Sequence, residues 1–158
     1  MKHIQQKINP RIRGFTLVEI VIVLSILGII VAMSTIALRD MYRNSALKTS
    51  THAVYRAFTD ARNNTLASVK DTVYGVMVGT SSVTRFKGPT FVVGSSTNQV
   101  TFFDAGVTAT GSIVTNGTPV VFTRLTGEPS IIGAILIRDN TGTATNTLNI
   151  YASGLVEY

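Results

Sequence analysis

Residues 11–20, RIRGFTLVEI, lead from a basic patch straight into an apolar run that holds Glu19 near its start. From Gly14 to Leu38, Glu19 is the one charge in 25 residues, and Ile20 to Leu38 is uncharged throughout. As a helix, those 25 residues would measure roughly 37 Å at about 1.5 Å per residue. That length suffices to cross a hydrocarbon core of about 30 Å with some tilt. A buried core helix would be shorter and would show a polar face. A cleavable secretory signal has an apolar region of about 7–15 residues and small residues at its cut site. This run is longer, and Ala32-Met33-Ser34 makes a poor cut site. The run therefore reads as a membrane segment, and a carboxylate inside one is by default a functional residue that needs a partner.

The formal charge of +6 misleads when taken over all 158 residues. Lys2, Lys7, Arg11 and Arg13 precede Gly14 with no acid among them, and His3 lies in the same segment. From Phe15 onward ten basic residues face eight acidic ones, so basicity is weak evidence that the body of the chain binds nucleic acid. Four cations before the apolar run against Arg39, Arg43 and Lys48 just after it lean toward a cytoplasmic N-terminus. The chain has no cysteine, which excludes disulfides, thiolate metal sites and a cysteine nucleophile.

No Gly or Pro interrupts residues 29–74, so the helix is expected to continue well past Leu38. Leu47, Thr51, Val54, Phe58, Ala61 and Thr65 follow alternating steps of four and three, which places them on one face. That stripe predicts packing against a sheet later in the chain. Asn63-Asn64 and the Thr, Ser and Val enrichment after Thr65 predict termination near residues 66–70. Only Gly28 could loosen the apolar half, a weaker signal than proline.

Beyond residue 70, short apolar runs alternate with Gly, Pro, Asn and Asp. Val73–Val78, Thr90–Val93, Gln99–Phe103, Val120–Leu125, Ala134–Arg138, Thr147–Ala152 and Leu155–Tyr158 are predicted as antiparallel strands. Asp139-Asn140-Thr141-Gly142 predicts a turn between the last two long strands, and Gly94–Asn98 and Gly106–Gly117 read as polar loops. The organisation expected is thus a basic segment (1–14), a membrane helix (15–38), an amphipathic continuation (39–70) and a β-rich domain (71–158). The fold class is α+β, one long helix on a small antiparallel sheet domain.

Chemistry is sparse. His52 stands without nearby acids, which argues against a metal role, and no Ser/His/Asp set, P-loop or dinucleotide fingerprint is present. The oxygen-bearing side chains at the 139–142 turn are too few for a calcium site. No enzyme, metal or cofactor is implied. Arg85 and Lys87, beside Phe86, form the compact basic and aromatic group of the β domain. A solvated loop accounts for them more simply than a phosphate-contacting patch, and they are the only candidate nucleic-acid contacts.

The basic leader, the Gly14–Phe15 junction, Glu19 four residues after Phe15 and the long apolar run together resemble the prepilin signature of type IV pilins and type II secretion pseudopilins. The resemblance implies cleavage between Gly14 and Phe15 by a prepilin peptidase, with methylation of the new Phe15 amine. It further implies a single-pass inner-membrane subunit with its β domain outside the cytoplasm. Such a subunit would be drawn by an assembly platform from the bilayer into a filament of pilin or pseudopilin subunits. Cleavage would leave an ammonium at Phe15, about 6 Å along the helix axis from Glu19. A neighbouring subunit displaced by that amount could set its ammonium beside this Glu19, where a low dielectric strengthens the attraction. A Glu resting at the interface in the first helical turn is the alternative.

Val121-Phe122-Thr123-Arg124-Leu125-Thr126-Gly127, then Ala134–Arg138, then Leu148–Gly154-Leu155-Val156 resemble the GspH/FimT group of minor pilins and pseudopilins. Some members take part in DNA uptake, which makes a DNA-binding minor pilin the alternative function. That role would call for a basic motif at the C-terminal end, whereas Gly154-Leu155-Val156-Glu157-Tyr158 holds an acid and no base.

Overall fold

One helix, α1 (Leu17–Leu66), carries the N-terminal third of the fold in the computed structural model, which describes residues 14–115 and 117–158. The basic leader, with Lys2, Lys7, Arg11, Arg13 and His3, lies outside the described residues. The chain divides into two compact units, one ending at Arg39 and the other spanning Asp40–Tyr158, and α1 contributes to both.

In the first unit the apolar side chains from Leu17 to Met33 are exposed around the whole helix. The serine hydroxyls along this part of the helix are satisfied locally. Ser25 donates its hydroxyl to the Val21 carbonyl at 2.7 Å, and Ser34 donates to the Ile30 carbonyl at 2.8 Å. Back-bonding of this kind lets a hydroxyl enter an apolar medium without an unpaired donor. The helix passes through Gly28 without a break.

In the second unit, Leu47, Thr51, Val54, Phe58, Ala61 and Thr65 are all buried, so the predicted stripe is the face on which the domain is built. Its threonines have a physical reason. Thr51 donates to the Leu47 carbonyl at 2.7 Å and accepts from Asn146 Nδ2 at 3.0 Å. Thr65 donates to the Ala61 carbonyl at 2.8 Å and accepts the Tyr74 amide at 2.9 Å. Each hydroxyl thus bonds both ways while buried, linking the helix to the β domain.

The helix ends at Leu66, within the predicted window, and the chain leaves it through left-handed residues at Ser68, Lys70 and Asp71. The described residues then form eight strands: β1 (Tyr74–Val78), β2 (Ser82–Lys87), β3 (Gln99–Phe102), β4 (Val107–Thr110), β5 (Val120–Val121), β6 (Gly133–Asp139), β7 (Thr145–Ile150) and β8 (Val156–Glu157), with a short helix α2 (Ser112–Thr115) between β4 and β5. They make two four-stranded sheets, in the orders β3-β2-β1-β5 and β4-β6-β7-β8, and every pairing is antiparallel. Val76, Val78, Val83 and Val120 from the first sheet join Ile135, Ile137 and Leu148 from the second in one core around Phe58. Phe58 meets Phe122 edge-on, with ring centroids 6.3 Å apart.

Three expectations need correction. Thr90–Val93 is not a strand: after Pro89 the chain turns, and Phe91 packs edge-on against Phe86 at 5.3 Å instead of pairing along a sheet. Ser82–Lys87, whose charges suggest a solvated loop, is the strand β2 between β1 and β3. Gly106–Gly117 is not loop throughout. Val107–Thr110 is the strand β4, paired with β6 and with Val107 and Ala109 buried on one face, and alternation of Val and Ala with Thr is too faint a signal to mark a strand. The Asp139–Gly142 turn between β6 and β7 is where the sequence places it.

Candidate functional site

At the start of α1, Gly14 and Phe15 lie outside the helix, and Phe15 is 78% exposed. Thr16 is the N-cap. Its Oγ1 accepts the Glu19 amide at 3.2 Å, and its carbonyl accepts the Ile20 amide at 3.2 Å. Thr16-Leu17-Val18-Glu19 therefore has the S/T-x-x-E spacing of a capping box, a signal the sequence carries although the charge of Glu19 overshadows it. Glu19 sits in the first turn, where helix amides without intrahelical partners favour negative charge. Among the described residues the carboxylate has no ion-pair partner and is exposed. A carboxylate so placed is open to a cation from outside the chain.

Residues 9–35 match the family model described as the prokaryotic N-terminal methylation motif. The chain carries a prepilin-type methylation motif. It spans Gly14, Phe15, Thr16 and Glu19, and its apolar part coincides with a helix long and apolar enough to cross a membrane. No curated protein and no solved structure matches the chain.

The other sequence candidates, Arg85 and Lys87, lie two apart on β2 and share the face that carries Val83. Arg85 Nη1 stands 3.2 Å from Asp60 Oδ2 of α1, and its Nη2 donates to Gln99 Oε1 on β3. Its charge is thus engaged with a helix carboxylate and a neighbouring strand. Lys87 is half-buried, in register with Tyr74. His52 faces an aromatic partner: the Tyr158 hydroxyl lies 3.2 Å from Nε2, and the two rings meet edge-on at 5.3 Å.

One further residue has no sequence signal. Arg62, on α1, reaches toward Gly127 and the Ser153–Gly154 turn, where its Nη2 donates to the Ser153 carbonyl at 3.1 Å. Its importance depends on two glycines more than 60 positions away, which no local pattern announces.

Proposed function

We propose that the chain is a structural subunit of a type IV pilus or a type II secretion-type pseudopilus. Prepilin peptidase cuts between Gly14 and Phe15, the Phe15 amine is methylated, and the subunit enters the filament through α1. Before assembly the subunit is a single-pass inner-membrane protein with its β domain outside the cytoplasm. The assembly platform and other subunits are its partners. The observation that carries this reading is the exposed Glu19 at the capped start of an uncovered apolar helix, inside the matched methylation motif. The Phe15 ammonium of a neighbouring subunit pairs with Glu19, because an unpaired charge in that setting is penalised. Within the superfamily, the order of Phe122, Gly127, β6 and the closing Gly154 supports a GspH/FimT-like subunit. A DNA-binding minor pilin is less well supported, since Arg85 already answers Asp60 and Gln99.

Co-expression with a prepilin peptidase tests the reading. Intact mass should give a chain that begins at Phe15 and carries an added methyl group. An uncut chain, or one cut near Ala32, overturns it. Glu19→Ala should still be cleaved but should fail to enter filaments in a strain that assembles them, and normal incorporation would sink the pairing.

A further inference from the structure

The helix start lies two residues beyond the proposed cleavage bond, and a side chain holds it there. In a helix begun one residue earlier, the Glu19 amide would bond to the Phe15 carbonyl; one residue earlier still, the Val18 amide would bond to the Gly14 carbonyl. Here the Glu19 amide is taken by Thr16 Oγ1, and Gly14 and Phe15 stay outside the helix. A side-chain cap of this kind competes directly with helix extension, since both use the same donor.

The consequence concerns the carbonyl of Gly14. Hydrolysis adds one water across the Gly14–Phe15 bond. The Gly14 carbonyl carbon gains the oxygen, the C–N bond breaks, and Phe15 leaves as the free amine. A nucleophile must approach that carbon from one face while its oxygen is polarised. A carbonyl bonded within a helical turn and flanked by the next turn's side chains is poorly placed for both. Among the described residues, a Cβ built at Gly14 meets no atom within 4 Å.

We propose that Thr16 is a positioning residue for leader cleavage: by capping α1 it holds the scissile carbonyl of Gly14 outside the helix and accessible to the peptidase. This rests on the cleavage proposed above. The donor is the backbone amide at position 19, so the cap does not depend on the Glu19 side chain and Glu19→Ala leaves it in place.

The test uses the full chain co-expressed with prepilin peptidase, with the rate of leader loss followed by intact mass, for wild type and for Thr16→Ser, Thr16→Asn and Thr16→Val. Ser and Asn cap helices at least as well as Thr, and isosteric Val does not cap. Ser and Asn variants should be cut at the wild-type rate or faster, and the Val variant about 5-fold more slowly, as expected for one lost cap. Carbon chemical shifts of Phe15 in detergent should move toward helical values in the Val variant alone. A Val variant cut as fast as wild type overturns the proposal. So does slow cleavage of both Val and Asn variants beside normal cleavage of the Ser variant, which would mean that the peptidase reads the hydroxyl itself. An uncut wild type removes the cleavage reading and this inference with it; a cut wild type with an unaffected Val variant removes only this inference.

Discussion

Arg62 Nη2 donates to the carbonyl of Ser153 across 3.1 Å, and that contact exists because the next residue has no side chain. A Cβ at Gly154 would overlap the Gly127 carbonyl and come within 2.8 Å of Arg62 Nε. Gly154 is also left-handed, with φ +78°. The helix, the 123–127 turn and the 151–155 turn therefore meet at a point closed by two glycines and one arginine.

Substitution should rank the glycines by contact, not by backbone angle. Gly142 has a similar φ of +69° but open space around it. Gly142→Ala should cost only the left-handed penalty of about 1 kcal/mol. Gly154→Ala should add backbone overlap and cost at least about 3 kcal/mol. Thermal unfolding of the detergent-solubilised chain, followed by near-ultraviolet circular dichroism, checks the order, and equal losses at the two positions would contradict it.

Leu125 predicts a gain. It is left-handed, with φ 76°, and 92% exposed in the turn where the Gly127 amide bonds to the Thr123 carbonyl at 2.9 Å. A leucine there bears the steric penalty and has little packing to offset it. Leu125→Gly should raise stability by about 0.5–1 kcal/mol, after allowing for glycine's larger unfolded-state entropy. Leu125→Val should lower it, since a β-branched residue fits that conformation worse. A loss of stability in the glycine variant would show that Leu125 has packing worth more than the strain.

Asp139 predicts a pH dependence. The Thr141 hydroxyl donates to its carboxylate, and the amides of Ala144 and Thr143 and the charge of Arg43 act with it against burial. Together they hold its carboxyl below the ordinary 3.8. A depressed folded value means that the ionised group stabilises the fold above the unfolded pKa. That contribution is lost as pH falls through the folded value. Asp139→Asn should therefore melt below wild type at pH 7, and the gap should close as pH is lowered through and beneath 3.8. A gap independent of pH would assign the effect to shape instead of charge.

Much of the helix is legible in the sequence because its signals are local. A face repeating every 3.6 residues needs no knowledge of its packing partner, so spacing alone places Leu47, Val54 and Phe58 in the core. The signature Gly14, Phe15 and Glu19 is legible for the same reason. Thr16 is equally readable as the first residue of a capping box, but a charge in an apolar run is the louder signal in those four residues.

Ser82–Lys87 is not legible, and the reason is physical. Arg85 can sit on a sheet between two strands only because Asp60 and Gln99 meet its guanidinium, and both partners are distant in sequence. Without those partners in view, Arg85 and Lys87 argue for solvent. Likewise, the threonines at 51 and 65 look like imperfections in an apolar stripe until Asn146 and the Tyr74 amide supply their second hydrogen bonds.

By itself the sequence determined the long helix, its apolar and amphipathic halves, and the β character of residues 71–158. These depend on periodicity and on contacts within one or two helical turns. Tertiary structure alone decided the division of the strands into two sheets, the engagement of Arg85 and the seating of Arg62 between two glycine turns. Those depend on pairings between distant residues, whose free energy appears only when the chain closes on itself.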